Sequence, residues 1–304
     1  VKEGAAARAL LARIVDYAGL FPPAGLGMAE AVAEYAALRG TAEAWMLGRF
    51  VVPAARLDAM RAACERLAGA PGAPTPVHPW DLSVLASADS ADLAAAAALP
   101  PGLVLDAVEG KAASFEEVEA LLAAWRPRGV PVYVEFPLQG DLETLLHAVR
   151  RGDGRAKLRT GGITAEAFPD PEDVARFLAA CARHRVPVKF TAGLHHPLRA
   201  EHALTYEPNA PRGVMHGFLN VFAAAALARA GAPEAELLDV LREQDPAAFA
   251  FDGAAFVVRG RRLEPAALLA LREEFAAGFG SCSFREPVAD LRALGVLAAS
   301  AAGA

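Results

Sequence analysis

Short runs rich in β-branched residues alternate with helical patterns about eight times along this chain. Few folds accept that alternation, because each repeat is a strand, a crossover helix and a parallel strand. The candidate strands fall at 14–20, 45–52, 82–86, 103–108, 132–136, 156–159, 186–191 and 279–284, the first being the least pronounced. Helical patterns separate them, among them 28–38, 115–125, 142–150, 172–184 and 287–297. Eight such pairs with right-handed crossovers close into a (β/α)8 TIM barrel with every helix outside. The stretch 199–277 is too long for one connection. It is expected to hold helices at 215–229, 234–242 and 265–275 and a hairpin pairing 249–251 with 256–259. The whole of 1–304 therefore reads as one barrel domain, with 199–277 as an insertion serving as lid or oligomer contact. A Pro/Gly-rich loop is expected at 70–79.

With 54% hydrophobic residues the chain can bury a large core, which disfavours disorder. A net charge of −6 without a basic stripe argues against a nucleic-acid partner. The longest apolar run, 221–228, is far too short for a membrane helix. Three scattered cysteines (Cys64, Cys181, Cys282) form no disulfide framework. With no apolar segment of signal type at the start, the expectation is a cytoplasmic protein.

In a barrel of this kind the chemistry sits where strands end. Polar residues expected there are Arg49, Asp106, Glu109, Glu135, Lys157, Arg159, Thr160, Lys189, Thr191, Ser281, Cys282 and Ser283. Strand alternation puts Lys157 with Arg159, and Lys189 with Thr191, on one side of their strands. The lysines stand out because the chain has only Lys2, Lys111, Lys157 and Lys189 against 26 arginines. A Schiff-base enzyme needs a neutral amine, which arginine cannot supply. Two cations ~5 Å apart at an effective dielectric of ~20 repel by roughly 3 kcal/mol, about two pKa units. The alternative is that the lysines pair with Asp106 and Glu135 as a charged plug. Arg49 reads equally as an anion anchor or a rim salt bridge. Cys282 reads as a buried small residue more readily than as a nucleophile.

Four segments carry a family resemblance: Lys157-Leu158-Arg159-Thr160-Gly161-Gly162, Val188-Lys189-Phe190-Thr191-Ala192-Gly193, Phe279-Gly280-Ser281-Cys282-Ser283-Phe284, and Asp106 within Val104–Val108. In that order they resemble deoxyribose-phosphate aldolase, a class I (Schiff-base) aldolase barrel. The resemblance implies Lys157 as the Schiff-base lysine, Lys189 as the neighbour that lowers its pKa, and Asp106 as proton shuttle. It also implies Gly193, Ser281 and Ser283 around a phosphate. Arg159 stands where those aldolases have serine, and an arginine there can clamp a carboxylate or phosphate. The run Gly193-Leu194-His195-His196-Pro197 and the segment Met215-His216-Gly217-Phe218-Leu219-Asn220 lie outside the aldolase pattern and resemble a bacterial family of their own.

The expected function is an aldolase-like lyase acting on a small carbonyl compound with an anionic group. Lys157 attacks, Lys189 keeps it neutral, and Asp106 with Glu135 moves protons. Arg159, Thr160, Thr191, Gly193, His195, His196, His216, Ser281, Ser283 and Arg49 contact substrate. No cofactor is called for. One alternative is an isomerase or hydrolase holding one divalent metal, such as zinc or manganese, on Glu135, His195, His196 and His216. Another is a non-catalytic barrel in an assembly, and a homo-oligomer fits either. His216 and Asn220, four apart, are expected on one helical face; if that face covers the barrel mouth they touch substrate, and otherwise they cap the helix.

Overall fold

Strands such as Leu47–Pro53 and Val132–Glu135 are buried on both faces, the pattern of a parallel sheet with helices outside and side chains packed within. The computed structural model describes residues 4–69 and 79–298. All but the last residue of the expected 70–79 loop lies outside them. In chain order the strands are β1 (Val15–Tyr17), β2 (Leu47–Pro53), β3 (Trp80–Leu85), β4 (Leu103–Lys111), β5 (Val132–Glu135), β6 (Arg155–Arg159), β7 (Val188–Thr191), β8 (Ala200–Ala203), β9 (Arg212–Met215), β10 (Phe249–Phe251), β11 (Phe256–Val258), β12 (Arg261–Leu263) and β13 (Ala276–Ser281). The helices are α1 (Ala5–Leu11), α2 (Met28–Leu38), α3 (Leu57–Ala68), α4 (Ser90–Ala97), α5 (Phe115–Trp125), α6 (Leu142–Arg151), α7 (Pro171–His184), α8 (Phe218–Arg229), α9 (Glu234–Arg242), α10 (Pro265–Glu274) and α11 (Arg285–Ala293).

Eight strands close in the order β1-β13-β7-β6-β5-β4-β3-β2, every pair parallel. The protein is a (β/α)8 barrel. Between β7 and β13 run the antiparallel pair β8–β9, helices α8 and α9, the three-stranded sheet β10-β11-β12, and α10. Helix α8 is apolar on all sides and buried on all sides, packed between α7, α9 and α10. No helix among the described residues is long and apolar enough to cross a membrane.

Two irregularities shape the interior. The β3–β4 register steps from Leu82↔Leu105 to Ser83↔Ala107, so Asp106 is an extra residue, a β-bulge. Beside it, β1–β2 steps from Val15↔Leu47 to Tyr17↔Phe50, which leaves Gly48 and Arg49 opposite Asp16. A side chain at Gly48 would collide with Asp16, since an added Cβ would lie 2.2 Å from its Oδ1. On β13 the residue opposite Asp16 is Gly280, which leaves the lumen open there for longer side chains from other strands.

Three sequence expectations change. The first strand is only Val15–Tyr17, and the last is Ala276–Ser281, so Cys282 and Ser283 lie beyond its end. Helix α8 starts at Phe218, because the chain from Arg212 to Met215 pairs with β8 instead. His216 therefore precedes the helix and shares no helical face with Asn220.

Candidate active site

Glu135, Lys157 and Lys189 are register partners across β5, β6 and β7, and share one row of the barrel. Lys189 on β7 contacts Asp16 on β1, Ser83 on β3 and Glu109 on β4, none of which is a neighbouring strand. Only the lumen can bring these groups together, so the lysine side of both strands faces inward.

The result is a chain of charges of alternating sign. Asp106 accepts from Arg49 Nε at 2.6 Å, and Arg49 lies 3.7 Å from Asp16 Oδ2. The same Asp16 oxygen is 2.5 Å from Lys189 Nζ, which also pairs with Glu109 Oε1. Glu109 Oε2 lies 2.8 Å from Lys157 Nζ, which is 2.9 Å from Glu135 Oε2. Glu135 Oε1 finally accepts from Arg159 Nε at 3.0 Å. Four cations and four carboxylates thus alternate through the lumen, which limits the desolvation cost of burying any one of them.

Each charge state has a physical cause. Burial works against the Lys189 ammonium, yet Asp16 and Glu109 outweigh it and raise the lysine above its ordinary range. Its three N–H groups find three acceptors, so Lys189 stays charged. Burial likewise works against the Glu109 carboxylate, and Lys157 with Lys189 overcomes it, holding the group well below the usual range. The Ser83 hydroxyl adds a hydrogen bond to Glu109 at 2.5 Å. Glu135 is lowered by Lys157 and Arg159 against burial. Its Oε2 nevertheless lacks an aligned donor, because the 2.9 Å approach of Lys157 is off the hydrogen-bond direction.

Lys157 is 4% exposed and Lys189 1%, but their access differs. Lys157 and Glu109 line a cavity of about 390 Å³ at the ends of β2, β3 and β4, with Pro53, Ala54, Leu85 and Ala86. A second cavity of about 490 Å³ is lined by Glu135, Phe136, Leu138, Arg159 and Pro169. Lys111 at the end of β4 borders both.

Other expected site residues are spread over several places. Asp106 bonds Arg49 nearer the N-terminal end of its strand, and no ion pair among the described residues joins it to either lysine. The carboxylate between the lysines is Glu109, three residues on. The Thr160 hydroxyl donates to Ala192 O at 2.6 Å, tying the turn after β6 to the turn after β7. Gly193, at φ +75°, packs so closely on Gly161 that a Cβ would come within 2.7 Å of its Cα. Thr191 ends β7, partly exposed, in register with Arg159. Ser281 Oγ accepts from Ser283 N, and Ser283 Oγ caps Glu286 N at the start of α11. The Glu286 carboxylate is there too, bonded to Tyr206 and His195, both at 2.9 Å.

The histidines do not converge with Glu135. His195 binds Glu286, His196 binds Asp290 at 2.6 Å and stacks on His202, and His216 donates from Nε2 to Pro169 O at 2.7 Å. Among the described residues no three His, Cys, Asp or Glu side chains are grouped so as to hold a metal ion. Sequence reasoning missed Asp16 and Ser83 altogether and gave Glu109 no role. The available signal was an acidic residue in a short apolar run, Val15-Asp16-Tyr17.

No family model matches the chain, and neither does any curated protein. A solved structure similar to it is that of the YdjI aldolase from Escherichia coli K12, with 14% identity and a TM-score of 0.38, covering 62% of this chain and 68% of that one.

Proposed function

We propose that the protein is an aldolase-like lyase in which Lys157 forms a Schiff base with a small carbonyl substrate carrying an anionic group. The supporting observation is that the Lys157 ammonium borders a cavity at the barrel mouth while two carboxylates stand ready on its other sides. Lys189, held charged by Asp16 and Glu109, is the register partner of Lys157 one strand away, a second cation in the same row. Glu109 is fixed between both lysines, so Glu135, with its unaligned oxygen, takes the proton from Lys157. Arg159 helps when it turns to the substrate anion, because Glu135 then loses a stabilising cation and becomes more basic.

The neutral amine adds to the carbonyl carbon, one of its protons passes to the oxygen, Glu135 gives back the proton taken from Lys157, and the oxygen leaves as water. The iminium then draws the electron pair of the Cα–Cβ bond into an enamine, the Cβ fragment leaving as an aldehyde or ketone while its hydroxyl proton passes to Glu135. In the other case it draws in the electron pair of a Cα–H bond, whose proton Glu135 takes. Glu135 returns the proton. Lysine serves as electron sink, so the proposal calls for no cofactor, whereas the metal alternative predicts loss of activity with a chelator. Borohydride reduction in the presence of a panel of small aldehydes and ketones tests the reading. The expected result is a stable secondary amine on Lys157, found by peptide mass spectrometry and absent in Lys157→Met. An adduct on another lysine, or none with any carbonyl, overturns it.

A further inference from the structure

We infer that the two cavities are the arms of one site, which takes a short oxo-carboxylate, with Lys111 as a specificity-determining residue for the acid end. The inference rests on the Schiff-base reading only for the position of the carbonyl. The arm beside β2 and β3 is walled by Pro53, Ala54, Leu85 and Ala86 and suits an alkyl group. The arm over β5 and β6 presents Lys111 and Arg159. Lys157 lies in the first arm and its partner Glu135 in the second, which places a carbonyl at the junction.

Lys111 is the register partner of Glu135 and borders both arms. Its backbone belongs to the β4–β5 ladder, and among the described residues its ammonium forms no ion pair. It is a cation beyond the balanced charges of the lumen, positioned where a substrate passes. The serine pair after β13 is a poorer anchor, since Ser281 and Ser283 already engage backbone amides and the Glu286 carboxylate stands beside them.

The same arm limits how much negative charge it can hold. Glu117 and Glu166 also line it, together with Glu135, and Glu117 is fixed there by the amide of Ala113 at 2.6 Å. Two cations against three carboxylates favour a single negative charge over the double charge of a phosphate ester. A carboxylate group meets that condition.

Titration calorimetry with butanoate, which has the acid and alkyl ends but no carbonyl, tests the arms without the chemistry. Binding should weaken about tenfold in Lys111→Met and by a similar factor in Ala86→Leu, which fills the apolar arm. Butanol should show no dependence on Lys111. Equal butanoate affinity in wild type and Lys111→Met, or tighter binding of propyl phosphate than of butanoate, overturns the inference. Borohydride trapping with 2-oxobutanoate separates the two readings. Lys111-dependent butanoate binding with no adduct on Lys157 sinks the Schiff-base assignment and leaves the two-armed site. An adduct on Lys157 formed equally well in Lys111→Met does the reverse.

Discussion

Glu109 carries one negative charge between two lysines, and glutamine in its place would leave Lys157 and Lys189 facing each other across a neutral amide. Breaking a buried ion pair by removing one partner costs about 3–5 kcal/mol, because the orphaned charge stays buried. Glu109→Gln should therefore lose stability of that order in urea unfolding. Adding Lys189→Met to it removes the excess cation and should restore about half of the loss, the signature of coupled residues. A Glu109→Gln protein within about 0.5 kcal/mol of wild type would show that the charges act independently. The lysine pair was legible in the sequence because lysine is scarce here and both residues sit at strand positions of the same parity. Glu109 was harder to read. The fourth strand was expected to end at Val108, and the bulge at Asp106 shifts the parity on which an inward assignment depends. Asp16 sits in a three-residue strand, too short for any periodic signal.

Among the elements, the segment between β7 and β13 packs on the barrel through apolar side chains of α8, Phe218 and Phe222 against Phe279 and Phe190, and is tied together internally by a polar one. Asn220 on α8 is fully buried; its Oδ1 accepts from Arg199 N at 3.0 Å, and its Nδ2 donates to Val240 O and Glu243 O, both at 2.8 Å. One side chain thus ties α8 to the entry of β8 and to the end of α9. Asn220→Ala removes three hydrogen bonds, leaving Glu243 O and the Arg199 amide without this partner and Val240 O with only the Glu243 amide, each lost bond worth about 1 kcal/mol. A loss of about 3 kcal/mol is expected, with butanoate affinity unchanged because the cavities lie over β2 to β6. A change in affinity as large as that of Lys111→Met would place Asn220 at the site after all. The helices and the hairpin at 249–258 were legible from periodicity and turn residues. The β8–β9 pair was not, because its partly exposed strands carry no apolar alternation and are separated by an eight-residue connection. Missing that pair is what moved His216 onto a helix in the sequence reading.

For the molecule as a whole, acid is the stress that its buried groups foretell. His216 is 1% exposed, donates to Pro169 O and accepts from Arg199, so it is neutral in the fold. Burial lowers its pKa from 6.5 to about 4, and His202, lowered by burial and by His196, behaves alike. A folded pKa below the unfolded one means that the unfolded chain binds the extra proton first. Stability is complete above about pH 6.5 and falls as pH drops toward 4, where the folded protein also titrates. The lowered carboxylates Glu109, Glu135 and Glu286 add a second loss only below the ordinary carboxylate range. At pH 5.5 His216 alone should account for roughly 1.4 kcal/mol. Urea unfolding at pH 7.5, 6.5 and 5.5 should show that decline, and His216→Gln, which keeps a donor for Pro169 O, should make it shallower, leaving the share of His202, while lowering stability at pH 7.5. If the variant loses stability between pH 7.5 and 5.5 as steeply as wild type, the acid sensitivity in that window lies in His202 instead.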